Sequence, residues 1–411
     1  MHYDAIYIGG GAAGLFAAIT CADQSSNASI LVLEQSYQVM SKIKISGGGR
    51  CNLTNACFDP KELVKNYPRG NKELLSAFHH FQPSDTMTWF EEHNVALKTE
   101  EDGRVFPASN TSQTIFDAII TATRNSRIEI RYNANITKVS KTNNGFSVTL
   151  AASEEVNATT IMLATGGSRD GHRLAMNLGH TIVKPVPSLF TFNVPNSSIR
   201  DLAGISVQSA RVTLPDLRLD QSGPLLITHW GFSGPAVIKL SAWAARKLSD
   251  LKYQTTCHID WIPQLHEERV RIAINDQRQN ISKRAIIHYP LFPSIPKQLW
   301  KALVSLSGIN DTTRWQNLSK SNSGQLLQRI KHDRYTIDGK TTYKQEFVTC
   351  GGITLSEVDF KRMESRLVPG LFFGGEILNI DGITGGFNFQ AAWTSGWLAG
   401  TAIANSINKT A

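Results

Sequence analysis

Asp4-Ala5-Ile6-Tyr7-Ile8-Gly9-Gly10-Gly11-Ala12-Ala13-Gly14 decides how this chain begins to fold. A short apolar strand runs into a glycine turn, and the turn runs into an apolar helical stretch over 15–22. That succession opens a dinucleotide-binding βαβ unit. In the spacing G-x-G-x-x-G, Gly9 permits the tight turn, Gly11 lets the backbone approach a pyrophosphate, and Gly14 lets helix and strand pack closely. The helix N-terminus, with Ala12 and Ala13 in its first turn, then faces the phosphates. A second strand, Ile30-Leu31-Val32-Leu33, ends at Glu34. An acid about 20 residues beyond the glycines is placed to accept hydrogen bonds from an adenosine ribose, and it argues against a 2'-phosphate there.

Further along, strand-like runs at 146–150 and 160–163 follow, and the second leads into Ala164-Thr165-Gly166-Gly167. A buried parallel strand ending in small residues brings its backbone against whatever lies at the carboxyl edge of the sheet. From about Pro185 the texture changes to proline-punctuated alternation, as at 189–194 and 207–214, which reads as antiparallel strands. After Pro263 it turns polar and helical, with helices expected at 267–277, 297–304 and 325–330 and an end near Tyr343. Leu371-Phe372-Phe373 then supplies another apolar strand, and 389–403 a closing helix rich in small residues. The expected class is α/β. A Rossmann-like domain at 1–187 and 344–411 is interrupted by an inserted domain at 188–343, β-rich over 188–262 and helical over 263–343. An insertion of roughly 155 residues is an ordinary domain length.

The 411 residues suffice for two or three domains with sizeable cores. Hydrophobic residues make up 41% of the chain, yet no apolar stretch reaches the roughly 18 residues needed to span a bilayer. The first residues enter directly into a strand, with no basic leader before it, so a cytoplasmic location is expected. Cys21, Cys51, Cys57, Cys257 and Cys350 are scattered without a C-x-x-C pair, which indicates neither a disulfide framework nor a zinc site. Lys plus Arg number 42 against 34 Asp plus Glu, a formal charge of +8. The excess is thinly spread, with modest groupings at Lys42 with Lys44 and at Arg329, Lys331 and Arg334. A generally basic surface and a nucleic-acid surface both stay open.

Two glycine-rich segments carry the remaining chemistry. Near the end, Gly374-Gly375-Glu376-Ile377-Leu378-Asn379-Ile380-Asp381-Gly382-Ile383-Thr384-Gly385-Gly386-Phe387-Asn388 sets glycines beside polar residues and before a helix. Main-chain N–H groups there can come close to a flavin ring or its ribityl chain, and the helix N-terminus favours negative charge on a reduced flavin. A plain loop before the last helix is the alternative. Ser46-Gly47-Gly48-Gly49-Arg50-Cys51-Asn52 follows shortly after Glu34, and Lys42, Lys44 and Arg50 can meet phosphate or an anionic substrate. Cys51, a thiol beside a cation, is a candidate proton donor or redox partner, or a small packed side chain. Gly103-Arg104-Val105-Phe106-Pro107 reads as a loop lining the site or as a solvated hairpin. In Thr228-His229-Trp230-Gly231-Phe232-Ser233-Gly234-Pro235, His229 can protonate a substrate near neutral pH or only bond its own loop.

Together these segments resemble the BaiN/YhiN-like family of bacterial FAD-dependent oxidoreductases, within the larger fumarate-reductase-like flavoprotein group. The likeness also takes in Val348-Thr349-Cys350-Gly351-Gly352 and spans nearly the whole chain. Its S-G-G-G-R-C-N loop combined with G-E…D-G…G-G-F-N is specific, whereas the opening glycine motif is shared by many flavoproteins. Asn379 stands where the family pattern leads one to expect an acid. The resemblance implies an FAD domain of the two-dinucleotide-binding type, with the adenosine between Gly9 and Glu34 and a β-rich plus helical insertion over the flavin. It also implies reduction of a carbon–carbon double bond, in a small steroid-like molecule or in a uracil of ribosomal RNA.

The expected activity is transfer of hydride from NADH or NADPH, through FAD, to an activated C=C bond, with Cys51, His229 and Arg50 as candidate catalytic residues. No second G-x-G-x-x-G follows a strand, so the nicotinamide is expected only as a transient visitor. An oxidase or dehydrogenase of a small molecule, an RNA uracil reductase, and a flavin-binding redox sensor without turnover are the rival readings.

Overall fold

The computed structural model describes residues 2–126, 128–280, 284–342 and 348–410. It divides into two compact units, Met1–Pro187 with Lys344–Ala411, and Ser188–Tyr343. The boundary expected at Tyr343 lies outside the described residues.

In the first unit the apolar opening becomes the strand His2–Ile8, followed by the helix Ala12–Gln24 and the wholly buried strand Ile30–Leu33. His2–Ile8 is central. It pairs in parallel with Ile30–Leu33 on one side and Glu155–Leu163 on the other, and Leu371–Phe373 adds in parallel to Glu155–Leu163. The register sets Ile8 beside Leu33 and Leu163, and Leu163 beside Phe373. These strands therefore end at one level, and Gly9, Glu34, Ala164 and Gly374 leave the sheet along a single carboxyl edge. Ligands of open α/β sheets bind at that edge. The closing helix Phe387–Thr410 lies along Ala12–Gln24. Small residues make this approach possible, since a Cβ on Gly400 would sit 2.4 Å from the Ala17 carbonyl oxygen.

The second unit holds a seven-stranded antiparallel sheet around its own core. Its strands include Ser206–Leu214, Leu219–Ile227, Gln254–Asp260 and Asp333–Asp338. Two features correct the expected division into β-rich and helical parts. The helix Pro235–Asp250 lies within 188–262, burying Val237, Leu240, Ala244 and Leu248 at helical spacing after a proline at its start. Conversely, Asp333–Asp338, within 263–343, is a strand with strict in–out alternation. Its buried Asp333 interrupts the apolar pattern that would have marked it.

The basic grouping at 329–334 is also not a surface patch. Lys331 is buried, bound to Asp260 at 2.6 Å and to the carbonyls of Ile262 and Leu265, while Arg329 pairs with the buried Asp333 at 2.8 Å. Buried charges require such partners, which leaves Arg334 alone exposed.

Candidate dinucleotide and flavin site

At the carboxyl edge the glycine turn is built as its spacing requires. Gly9 N donates to Leu33 O at 2.8 Å, and a Cβ on Gly14 would lie 2.0 Å from the Gly9 carbonyl oxygen, so only glycine lets the helix start so close to the turn. A Cβ on Gly11 would instead meet nothing within 4 Å, leaving the start of the helix open on that side. First-turn amides have no partner within their own helix and are ready for an anion.

Glu34 is tied into the same turn. Its Oε2 accepts from Gly10 N at 2.8 Å, and its Oε1 accepts from the Ser36 amide and hydroxyl, each at 2.8 Å. An ionised carboxylate offers about four acceptor positions, so one remains on Oε2 for a ribose hydroxyl. Replacing Glu34 by Ala is expected to weaken FAD binding by about 1.5 to 3 kcal/mol, the range for hydrogen bonds to a charged group. Titration of the apoprotein by flavin fluorescence reads this directly, and unchanged affinity would move the ribose contact elsewhere.

The strand Glu155–Leu163 delivers Ala164, Thr165 and Gly166 to this edge. Thr165 Oγ1 is buried and has no hydrogen-bond partner among the described residues. Gly375, in a short turn, comes against Ala13, and its amide donates to Ser395 Oγ at 2.9 Å. Glu376 faces Gly166 and forms an ion pair with Lys42. Three segments far apart in sequence thus meet around the start of one helix.

Ser46–Gly49 forms a tight 3-10 turn in which Gly47, Gly48 and Gly49 all have positive φ. Added Cβ atoms on Gly48 and Gly49 would meet nothing within 4 Å. Arg50 is committed to its own neighbourhood, donating to Glu100 at 2.7 Å with its guanidinium 4.0 Å above the Phe106 ring. Cys51 is 0% exposed, and burial pushes its thiol up to about 12. Such a thiol stays protonated near neutrality, which disfavours a redox role, and its complete burial favours the packed side chain. Cys51→Ala is accordingly expected to leave flavin reduction and re-oxidation within about twofold of the parent. A loss of tenfold in re-oxidation alone, about 1.4 kcal/mol of barrier, would restore the catalytic role.

The segment Arg104–Pro107, expected as a loop lining the site or as a solvated hairpin, forms a hairpin strand with Leu97–Thr99 and pairs with Thr54–Asn55 on its other side, with Val105, Phe106 and Pro107 buried rather than solvated. Arg104 is held by Glu100 and Asp102. Asn55 Nδ2 donates to Gly385 O at 3.0 Å, and Asn52, with its amide oriented to suit both neighbours, donates to Thr54 O and accepts from Gly386 N at 3.0 Å. The S-G-G-G-R-C-N segment and the closing loop are therefore laid together. Within that loop Asn388 bonds Gly382 in both directions, at 2.8 and 3.0 Å, while Asn379 N donates to Ile353 O. Asp381 is completely buried and its carboxylate is gripped by Arg69. Asp381 and Asn388 thus shape the loop. Arg69 and Tyr67, whose hydroxyl donates to Phe387 O at 2.6 Å, carried no motif signal in the sequence.

His229 belongs to the second unit, where it is exposed on a turn closed by Thr228, whose Oγ1 accepts from Gly231 N at 3.2 Å. Beside it Trp230 is 57% exposed.

The open helix start, the spare acceptor on Glu34, the unpartnered Thr165 hydroxyl and the open glycines at 48 and 49 fit a bound dinucleotide. Comparison with known proteins agrees. The model of the HI0933-like protein Rossmann domain matches residues 3–402. The chain is 28% identical over 407 residues to a 3-dehydro-bile acid delta(4,6)-reductase of Clostridium scindens, covering 97% of this chain and 98% of that one. It is also 28% identical over 408 residues to a ribosomal RNA dihydrouridine synthase of Escherichia coli, covering 96% of each. Similar folds include a flavocytochrome c3 fumarate reductase (TM-score 0.52, 16% identity, 98% of this chain and 78% of that one). A second is the 3-ketosteroid-delta4-(5alpha)-dehydrogenase of Rhodococcus jostii RHA1 (TM-score 0.52, 13% identity, 98% and 97%). The chain belongs to the family of the HI0933-like protein Rossmann domain.

Proposed function

We propose that this protein reduces a carbon–carbon double bond conjugated to a carbonyl group, with electrons from NADH or NADPH. The observation that carries the reading is the convergence of the Gly9 turn, the Ser46 loop and the Gly375 to Gly386 segment at one sheet edge. Two relatives matching nearly the full chain, the bile acid reductase and the dihydrouridine synthase, bear names that describe saturation of a C=C bond.

Bound FAD supplies the hydride chemistry. The chain's own part is to hold and polarise. First-turn amides of Ala12–Gln24 bind the diphosphate, and Glu34 fixes the ribose. The backbone of 46–49 and 382–386 walls the ring, and the N-terminus of the 24-residue helix Phe387–Thr410 favours negative charge there. Anaerobic titration of the yellow protein with NADH and NADPH tests the donor: bleaching by either one supports it, and no bleaching by both removes nicotinamide from the scheme.

A small molecule is favoured over RNA because the grouping at 329–334 is dismantled by burial and pairing. The relatives named as ribosomal RNA dihydrouridine synthases keep the second reading. Binding that contacts roughly 6 to 10 phosphates loses about three to five decades between 50 and 200 mM salt. A flat salt response with ribosomal RNA fragments supports the small molecule, and a steep one supports RNA.

A further inference from the structure

Residues 66–70 form a strap across the closing loop. Ile383 N donates to Asn66 O at 2.9 Å, Tyr67 reaches Phe387 O, and Arg69 and Asp381 face each other as an isolated antiparallel bridge. A Cβ on Gly382 would meet the Tyr67 ring at 3.2 Å. At the centre, Nε and Nη2 of Arg69 both donate to the Asp381 carboxylate, which is 0% exposed, while the Arg69 side chain is 15% exposed. The fork geometry is the strong form of this pair. Stability alone does not account for it, because replacing a buried ion pair by apolar residues of similar volume is often neutral or stabilising. Holding the loop in place is already served by Ile380 against Gly70 and by the Tyr67 hydrogen bond. What the pair adds is compensated charge inside the loop whose amides and following helix were assigned to the flavin.

We infer that Arg69 is a positioning residue that sets the electron affinity of the bound flavin, by neutralising Asp381 and fixing the loop that carries it. The inference rests on the FAD reading above. At a pH high enough to keep it ionised despite burial, a carboxylate at 381 without its cation would oppose the negative charge that reduction places on the ring, and a guanidinium at 69 without its carboxylate would favour it. The two single replacements must therefore act in opposite directions. A purely structural loosening would move both the same way.

The test uses the yellow holoprotein equilibrated anaerobically against a reference dye. Arg69→Gln is expected to shift the reduction equilibrium toward the oxidised form by about tenfold, which for two electrons is about 30 mV. Asp381→Asn should shift it toward the reduced form by a similar factor, and the double variant should return within about threefold of the parent. Shifts of the same sign in both single variants, or none beyond threefold, would overturn the inference. Should a single variant fail to fold, Arg69→Lys decides. It keeps the charge and loses the fork, so an equilibrium within threefold of the parent combined with faster amide exchange over 380–387 supports the inference, and a tenfold shift toward oxidised flavin overturns it. Parent protein that is colourless and refuses added FAD would instead refute the FAD reading itself.

Discussion

Trp393→Ala is expected to cost the first unit about 3 to 5 kcal/mol, the range for deleting a large buried aromatic. The side chain is 0% exposed in the closing helix and its ring centroid lies 5.3 Å from Phe16 and 5.5 Å from Phe90. Its Nε1 donates to Leu53 O at 3.0 Å, so it ties the closing helix to the opening helix and to the residue just beyond Asn52. Domains have only about 5 to 15 kcal/mol to lose. With two units in the chain, the transition to follow in urea is flavin release rather than total ellipticity. Trp393→Phe should keep most of the packing but orphan the carbonyl, costing about 1 to 3 kcal/mol. A cost below 1 kcal/mol for the alanine variant would mean that the two helices and the loop are not joined there.

Gly14→Ala is expected to lower FAD affinity at least 100-fold, about 2.7 kcal/mol, with a smaller effect on folding. The added carbon would stand 2.0 Å from the Gly9 carbonyl oxygen and 3.2 Å from the Ala164 side chain, so the turn must move away from the helix. Overpacking of this kind costs about 1 to 3 kcal/mol in stability, yet the moved atoms are those that cradle the diphosphate. Flavin titration compared with thermal unfolding separates the two effects. Parental affinity in a folded Gly14→Ala protein would remove the diphosphate from this turn.

The parts legible in the sequence are those whose logic is local. The strand His2–Ile8, its glycine turn and the terminal acid Glu34 lie within one βαβ unit, and the closing helix announces itself by small residues at helical spacing. The strand Leu371–Phe373 was readable as an apolar run. Reading failed where a polar residue is buried or a partner is remote. Asp333 hides an alternating strand because its carboxylate is paid for by Trp261, Tyr335 and Arg329. Lys331 looked like surface because nothing in its neighbours shows that Asp260 waits for it. The helix Pro235–Asp250 is masked by the β-rich alternation around it, although Gly234-Pro235 is a start signal and the spacing of Val237, Leu240 and Leu248 is helical. Arg69 follows a proline in an unremarkable segment, and its partner Asp381 lies 312 residues away.

Electrons held at this sheet edge are expected to pass to a conjugated C=C bond. The most direct test is anaerobic mixing of the reduced, yellow-on-oxidation protein with a 3-oxo-Δ4 steroid, following return of the flavin absorbance and the product by mass. The account predicts re-oxidation coupled one-for-one to saturation of the C4–C5 bond. A flavin that stays reduced with the enone and with uridine-containing ribosomal RNA, and is re-oxidised only by oxygen, would contradict it.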